Sequence, residues 1–294
     1  DYENSFKRLV SGDKSEDLYG KDLHAEVHRY AQKARIIALF EDFDVIHCHD
    51  WMTFKAGIVA KKASGKPLVV HIHATDFDRT GGHPNQNVYD IEREGMHFAD
   101  KVITVSQLTK DKVVKHYGVH PNKVHVVHNG IEYKKPNHKK QSETFGTDEK
   151  IVLFLGRLTL QKGPEYFIES AKKALDIMPN IKFVVAGTGD MYGKMINKAA
   201  ELGIAKNVLF TGHLTGEDVD KAYQMADLYV MPSVSEPFGI TPLEAIKNNT
   251  PVIISKTSGV SEVLDNALKV DFWDTDEMTN MIVSALTYNS LNSE

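Results

Sequence analysis

Two glutamates, Glu236 and Glu244, stand eight positions apart in SVSEPFGITPLEA (Ser233 to Ala245). An apolar run, DLYVMPS, leads into this stretch, and a helix is predicted to open near Thr241 and Pro242. Gly239 lacks a Cβ, so the backbone can turn tightly there and approach a ligand closely. Pro242 suits the first turn of a helix, where its missing N–H costs nothing. Free loop amides and the positive end of that helix would face an anion. Glu244, one turn in, would reach hydroxyl groups beside it, and Glu236 would project from the loop into the same crevice. Two glutamates around a helix start also serve as caps and dipole partners. This stretch alone leaves both readings open.

A second constellation lies in GRLTLQKGPEYF, where Arg157 and Lys162 follow an apolar run and precede a helix starting near Pro164. Two cations beside a helix N-terminus suit a diphosphate, because they offset charge developing on a leaving group. The bland alternative is a solvated loop with two surface charges. Paired with the later glutamates, at the carboxyl ends of strands in one sheet, the diphosphate reading becomes the stronger. VVAGTGD places Gly187 and Gly189 at a strand-to-helix turn, and Tyr192 stands where a dinucleotide fingerprint needs its third glycine.

Histidines gather in the first half of the chain. His47 and His49 in HCHDW alternate along one strand and share a face. A zinc site normally takes three or four protein ligands, and no second cluster at ligand spacing follows, so no metal is expected. His71 and His73 share a face of the next run, VVHIHATDFDR, with His73 at the strand end. Glu92, Arg93 and Glu94 are expected on a helix surface or in support of the site.

These groups need elements to hold them. Apolar residues at Val27, Tyr30, Ala31, Ala34, Ile37 and Ala38 recur at helical spacing from Asp22 to Phe40. Short apolar runs then alternate with helical stretches: VIHCHD, PLVVHIH, KVITVS and KVHVVH as strands, with helices from Trp51, from Asn87 to Phe98 and from Gln107 to Tyr117. ATDFDRTGGHPNQ reads as a loop. A second series follows: IVLFLG, IKFVVAG, NVLFTG, DLYVMPS, PVIIS and ALKVD, with helices near Pro164, Asp190, Glu217, Thr241 and Ser258 and a last one from Asp274 towards Tyr288. Such alternation predicts an α/β protein with doubly wound parallel sheets. Between Ile131 and Lys150 the polar segment EYKKPNHKKQSETFGTDEK reads as a linker. The expected domains are residues 1–135 and 136–294, two Rossmann-like units facing a cleft.

Composition narrows the classes. A chain of 294 residues with 41% hydrophobic and 26% charged residues fits a globular protein of two domains. A net charge of −5 gives no electrostatic reason to expect nucleic acid. The single cysteine, Cys48, excludes an internal disulfide framework and fits a reducing compartment. No apolar run approaches the roughly 18 residues of a membrane helix. A cytoplasmic protein is expected, with its oligomeric state open.

The E-x7-E pair with PFG behind its first glutamate resembles the signature of retaining glycosyltransferases of family four, enzymes of GT-B architecture. The likeness runs from about Phe43 to Val270, with several motifs in family order. It implies that Glu244 holds the donor ribose and that Glu236 lies beside the donor sugar. The amides of Phe238, Gly239, Ile240 and Thr241 would contact sugar and phosphate. Arg157 and Lys162 would be the donor-diphosphate pair, and Gly187 and Gly189 the nucleotide-side loop. TGHLTGED is similar to the segment that reads the base through His213 and Leu214. His73 would contact the donor sugar, with Asp76, Asp78, Arg79 and the Gly81–Gly82 turn towards the acceptor. HDW resembles glycogen- and starch-synthase-like members, where it supports the cleft wall.

The resemblance implies transfer of a hexose, most readily glucose, from a nucleotide diphosphate sugar to a saccharide hydroxyl, with no metal and no separate cofactor. The expected partners are a nucleotide-sugar donor and a saccharide acceptor. A nucleotide-sugar epimerase and a non-catalytic sugar-nucleotide-binding domain are the alternatives. The family's usual opening strand and glycine-rich loop have no counterpart before VIHCHD, so the first domain is expected to be incomplete.

Overall fold

A computed structural model describes residues 22–132 and 149–288. The predicted domain boundary and most of the predicted linker lie outside the described residues. Ten strands form two wholly parallel sheets among them.

The first sheet has the order β1-β2-β3-β4, with β1 at Ile46–His49, β2 at Leu68–Ile72, β3 at Lys101–Thr104 and β4 at Val124–Val126. Helix α1 (Leu23–Phe40) precedes it. Helices α2 (Trp51–Ser64), α4 (Gln86–Phe98) and α5 (Gln107–Tyr117) follow the first three strands. The strand period of two sorts the side chains by face. Cys48, Leu68, Val70, Ile72, Val102 and Val124 point into a core with Trp51, Phe54 and Met96. His47, His49 and His71 occupy the opposite face.

The segment predicted as a loop after β2 contains a one-turn helix, α3 (Asp76–Arg79). Thr75 and Asp78 form a capping box, each satisfying the other's backbone. Its polar composition conceals the turn: Asp76 and Asp78 are buried.

The second sheet has the order β10-β9-β8-β5-β6-β7. Its strands are β5 (Lys150–Leu155), β6 (Ile181–Ala186), β7 (Val208–Gly212), β8 (Leu228–Met231), β9 (Val252–Ser255) and β10 (Leu268–Val270). Helices α6 (Pro164–Ile177), α7 (Tyr192–Glu201), α8 (Glu217–Met225), α9 (Thr241–Lys247) and α10 (Thr275–Thr287) complete it. A short 3-10 turn, Gly259–Glu262, stands where a helix is predicted near Ser258. Both faces are covered, which explains why β8 and β9 read as unbroken apolar runs. One face packs Val152, Phe154, Phe167, Phe183 and Ile282. The other packs Leu153, Tyr223, Tyr229 and Ile254, and Val105 of the first domain joins that cluster.

Close helix packing in the first domain depends on Gly95 in α4. A Cβ there would lie 2.5 Å from the Cδ2 and 2.7 Å from the Cβ of Phe54. Gly95→Ala should therefore destabilise the fold by about 1–3 kcal/mol through overpacking. Gly193→Ala in α7, where a Cβ meets nothing within 4 Å, should stabilise by up to about 1 kcal/mol. Urea unfolding midpoints check both; equal shifts would contradict the packing argument.

Candidate active site

The chain builds β5, β6 and β7 outward in one direction, then returns to place β8 on the other side of β5. That reversal is a topological switch point, where open α/β sheets take ligands beyond the carboxyl ends of their strands. Arg157 and Lys162 follow β5, and Glu236 follows β8, so the three groups flank this crevice. Lys162 forms an ion pair with Glu236, and Ser233 Oγ donates to the same carboxylate oxygen at 3.2 Å. Glu236 is only 6% exposed. Lys162 is therefore held at the crevice wall and is less solvated than a surface lysine. Arg157 is exposed, and its side chain makes no hydrogen bond or ion pair among the described residues, while its carbonyl accepts from the Thr159 amide at 3.0 Å.

Glycines allow the loops around this point to touch. Gly163 has φ +64°, and a Cβ there would come within 2.1 Å of the Pro232 carbonyl oxygen. The β5 and β8 loops thus meet backbone to backbone, and Val234 N–H donates to the Gln161 carbonyl at 2.9 Å. Gly187 and Gly189 do the same work on the other side. Their Cβ atoms would fall 1.9 Å from the Gly156 oxygen and 2.3 Å from the Leu158 oxygen. In this structure these two glycines serve loop-to-loop packing, and the Arg157 loop is the neighbour they admit.

Glu244 lies on α9, and its carboxylate accepts from Tyr223 Oη at 3.1 Å. Tyr229 Oη donates to Thr241 Oγ1 at 2.8 Å, tying the start of α9 to the sheet. Gly239, with φ +98°, makes the turn between the glutamates. Phe238 is buried in the core, so only its backbone can serve a ligand, while Ile240 is exposed. His213 is exposed and Leu214 half-buried beyond the end of β7.

The first domain reaches this loop through polar contacts that the sequence did not reveal. Ser106 Oγ donates to the Pro237 carbonyl at 2.6 Å. Lys112 pairs with Asp78 and also donates to Ser235 Oγ at 2.8 Å, which in turn donates to Asp78 Oδ1 at 2.7 Å. Burial pushes the Asp78 pKa up, but Lys112, Ser235 and the Thr75 amide outweigh it and hold the carboxyl below its ordinary range. Glu262, on the 3-10 turn, accepts from the Gln107 and Leu108 amides at 2.8 Å each, capping α5 from the other domain. His128 Nε2 lies 2.8 Å from the same carboxylate.

Asp78 is thus a buried bridge between the domains, where the sequence reads a polar loop. Glu92, expected on a helix surface or in support of the site, is buried: it accepts from Tyr117 Oη, from the Asp76 amide at 3.2 Å and from Arg79 at 3.0 Å. Burial nevertheless leaves its pKa raised. The T-x-x-D spacing of Thr75 and Asp78 was the available sign of this turn. His73 sits just past β2, its amide donating to Asp50 Oδ1 at 2.8 Å and its Nε2 lying 2.9 Å from His49 Nδ1. No hydrogen bond or ion pair joins His73 directly to Lys162 or Glu236.

The family model for glycosyl transferases group 1 matches residues 135–283, and that for Glycosyltransferase Family 4 matches residues 14–135. The chain belongs to the group 1 glycosyl transferases. An uncharacterized glycosyltransferase of Methanocaldococcus jannaschii is 37% identical over 236 residues, covering 76% of this chain and 60% of the relative. Glycogen synthase of Mycobacterium tuberculosis is 28% identical over 227 residues, covering 76% of this chain and 54% of the relative. This chain therefore spans little more than half the length of these relatives. Among solved structures, sucrose-phosphate synthase from Thermosynechococcus elongatus superposes with a TM-score of 0.81 at 19% identity, covering 95% of this chain and 74% of that one. Anabaena HepE in complex with UDP and glucose gives 0.77 at 21%, covering 94% and 76%. These likenesses establish the GT-B fold of this family member.

Within that fold, Lys112 is the partner on which the buried Asp78 depends. Lys112→Met should destabilise the protein by about 3–5 kcal/mol, since it strands a buried charge. Adding Asp78→Asn should restore part of the loss, giving a coupling that a double-mutant cycle measures. The depressed Asp78 pKa contributes stability that is present above the ordinary carboxylate range and lost as pH falls through the folded value. Unfolding midpoints below about pH 4 should therefore fall more steeply in the wild type than in Asp78→Asn. Parallel slopes would contradict the assignment.

Proposed function

We propose that this chain carries the cleft of a retaining glycosyltransferase that moves a hexose, most readily glucose, from a nucleotide diphosphate sugar to a saccharide hydroxyl. The observation that carries this reading is the placement of Arg157, Lys162 and Glu236 around the switch point of the second sheet. Family membership supports the transfer reaction. UDP and glucose in Anabaena HepE and the glucan chemistry named for glycogen synthase support the donor class.

The chemistry follows from charge. Arg157 and Lys162 stabilise the diphosphate as its bond to the anomeric carbon breaks. The N-terminus of α6, directly after Gly163, adds its dipole to theirs. An acceptor hydroxyl attacks the same face of the sugar, forming the new glycosidic bond, and its proton passes to the departing phosphate oxygen. The anomeric configuration is retained. Glu236, paired with Lys162, offsets positive charge on the sugar ring. Glu244 holds the ribose, with Tyr223 fixing its orientation. The amides from Phe238 to Thr241 face the phosphate and sugar, and the loops carrying Gly187, Gly189, His213 and Leu214 face the nucleoside. His73, at the first domain's side of the cleft, contacts the donor sugar. With two cations and a helix end on the diphosphate, the reaction as proposed uses no metal and no cofactor beyond the donor.

The ion pair refines what each substitution should do. Arg157→Ala should weaken nucleoside diphosphate binding by about 1.5–3 kcal/mol, the worth of charged hydrogen bonds. Folding should be unaffected because Arg157 is exposed and unpaired. Lys162→Ala should weaken binding similarly but also destabilise the fold, since Glu236 would lose its partner. Glu236→Gln should lower kcat while leaving diphosphate affinity intact, whereas Glu244→Ala should act mainly on donor binding. Titration calorimetry with UDP, ADP and GDP, followed by steady-state kinetics and NMR of the product anomer, tests these roles. An inverted anomer, or unchanged affinity in Arg157→Ala, would overturn the mechanism.

A further inference from the structure

The face of the first sheet turned away from its core carries three histidines on two neighbouring strands and a fourth, His73, just past the second of them. Residues two apart on a strand share a face, which groups His47 with His49 and His71 with His73. Parallel pairing then sets His49 opposite His71. The rings stack into a ladder: His47 on His49 with centroids 4.4 Å apart, His71 on His73 at 4.3 Å, and His49 beside His71 at 5.2 Å. The third imidazole missing from the sequence around HCHDW is thus supplied by the adjacent strand, through a register that the sequence does not spell out.

Two observations separate this cluster from an ordinary polar surface. One candidate ligand atom from each of His47, His49 and His71 lies within 4.8 Å of the others. Both ring nitrogens of His71 are buried without a hydrogen-bond partner among the described residues. A buried imidazole with neither nitrogen satisfied is costly, and such groups in native folds ordinarily have a partner. Burial first, and then the neighbouring His73, His49 and His47, push the His71 pKa down to about 4, so near neutral pH its ring is an uncharged donor of a lone pair.

We infer that His47, His49 and His71 form a three-imidazole site for a divalent cation of the zinc class. Imidazole ligands suit Zn²⁺, Co²⁺, Ni²⁺ and Cu²⁺ and disfavour Mg²⁺ and Ca²⁺, which take oxygen. Tetrahedral Zn–N bonds of about 2.0–2.1 Å set the nitrogens about 3.4 Å apart. The cluster therefore has to contract, and the exposed rings of His47 and His49 would have to turn inward to do so. Three protein ligands leave a fourth position for water. His49 Nδ1 is engaged with His73 Nε2 at 2.9 Å, which leaves Nε2 of His49 for the metal. A second hydrogen bond of this kind orients a ligating imidazole. The site uses neither Arg157 nor Lys162, and His73, which hydrogen-bonds His49, is the side chain it shares with the proposed donor site.

The test is a titration of the metal-free 294-residue chain with Zn²⁺ by calorimetry and with Co²⁺ by visible absorption. The expected result is one micromolar-range site whose Co²⁺ spectrum has the intense bands of tetrahedral coordination. His71→Leu and His47→Gln should each weaken that site by about tenfold or more, as removal of a ligand requires. His47 is exposed, so His47→Gln keeps the test valid if His71→Leu does not fold. Loss in His47→Gln with full affinity in His71→Leu would mean that only the exposed pair binds metal adventitiously, and would overturn the site. Unchanged stoichiometry and affinity in both variants would do the same.

Discussion

The Glu236 carboxylate is buried at the end of β8, and a buried charge persists only when it is paired. Its partner, Lys162, comes from a different strand, β5, across the point where the sheet reverses direction. This one pair therefore fixes the two loops that flank the crevice relative to each other. Other features support that constraint. Gly163 lets the loops touch, and the Glu236 carbonyl accepts from the Gly259 amide at 2.9 Å, which ties the loop to the segment after β9. The cation and the carboxylate that serve the proposed chemistry also hold their own scaffold.

The same loop is where the first domain attaches. Pro237 receives Ser106, Ser235 receives Lys112, and Glu262, on the 3-10 turn after β9, caps α5. Gly259 permits the approach, since a Cβ there would lie 2.5 Å from the Cβ of Ser106. Val105 seals the seam by packing among the second domain's apolar side chains. The seam is polar and hydrogen-bonded around a small apolar contact, a composition suited to domains that move relative to each other. The Glu236 loop thus carries both the seam with the first domain and the carboxylate assigned to the proposed donor site.

The sequence made the elements legible because their signals are local. Apolar runs such as VVHIH and LYVM, alternating with helical periods, announced parallel α/β sheets, and the breaks after them placed the glutamates and cations at strand ends. The strand order was not legible, because nothing in LFLG or YVMPS says that β5 and β8 are neighbours. The Lys162–Glu236 pair, 74 positions apart, therefore emerged only in three dimensions. DFDR misled for a different reason: its two aspartates look solvated, yet both are buried, Asp78 in a capping box and against Lys112. HCHDW likewise shows two imidazoles in sequence, and only the strand register sets a third, His71, opposite His49.

The central claim is that the switch-point loops hold the nucleotide diphosphate. Amide hydrogen exchange of the whole chain, with and without saturating UDP, ADP or GDP, tests it most directly. With the diphosphate that binds, protection should rise in the segments 156–163 and 233–241, while β1 and β2 of the first domain should change little. Binding that leaves both segments unprotected, or that protects only the first domain, would contradict the account.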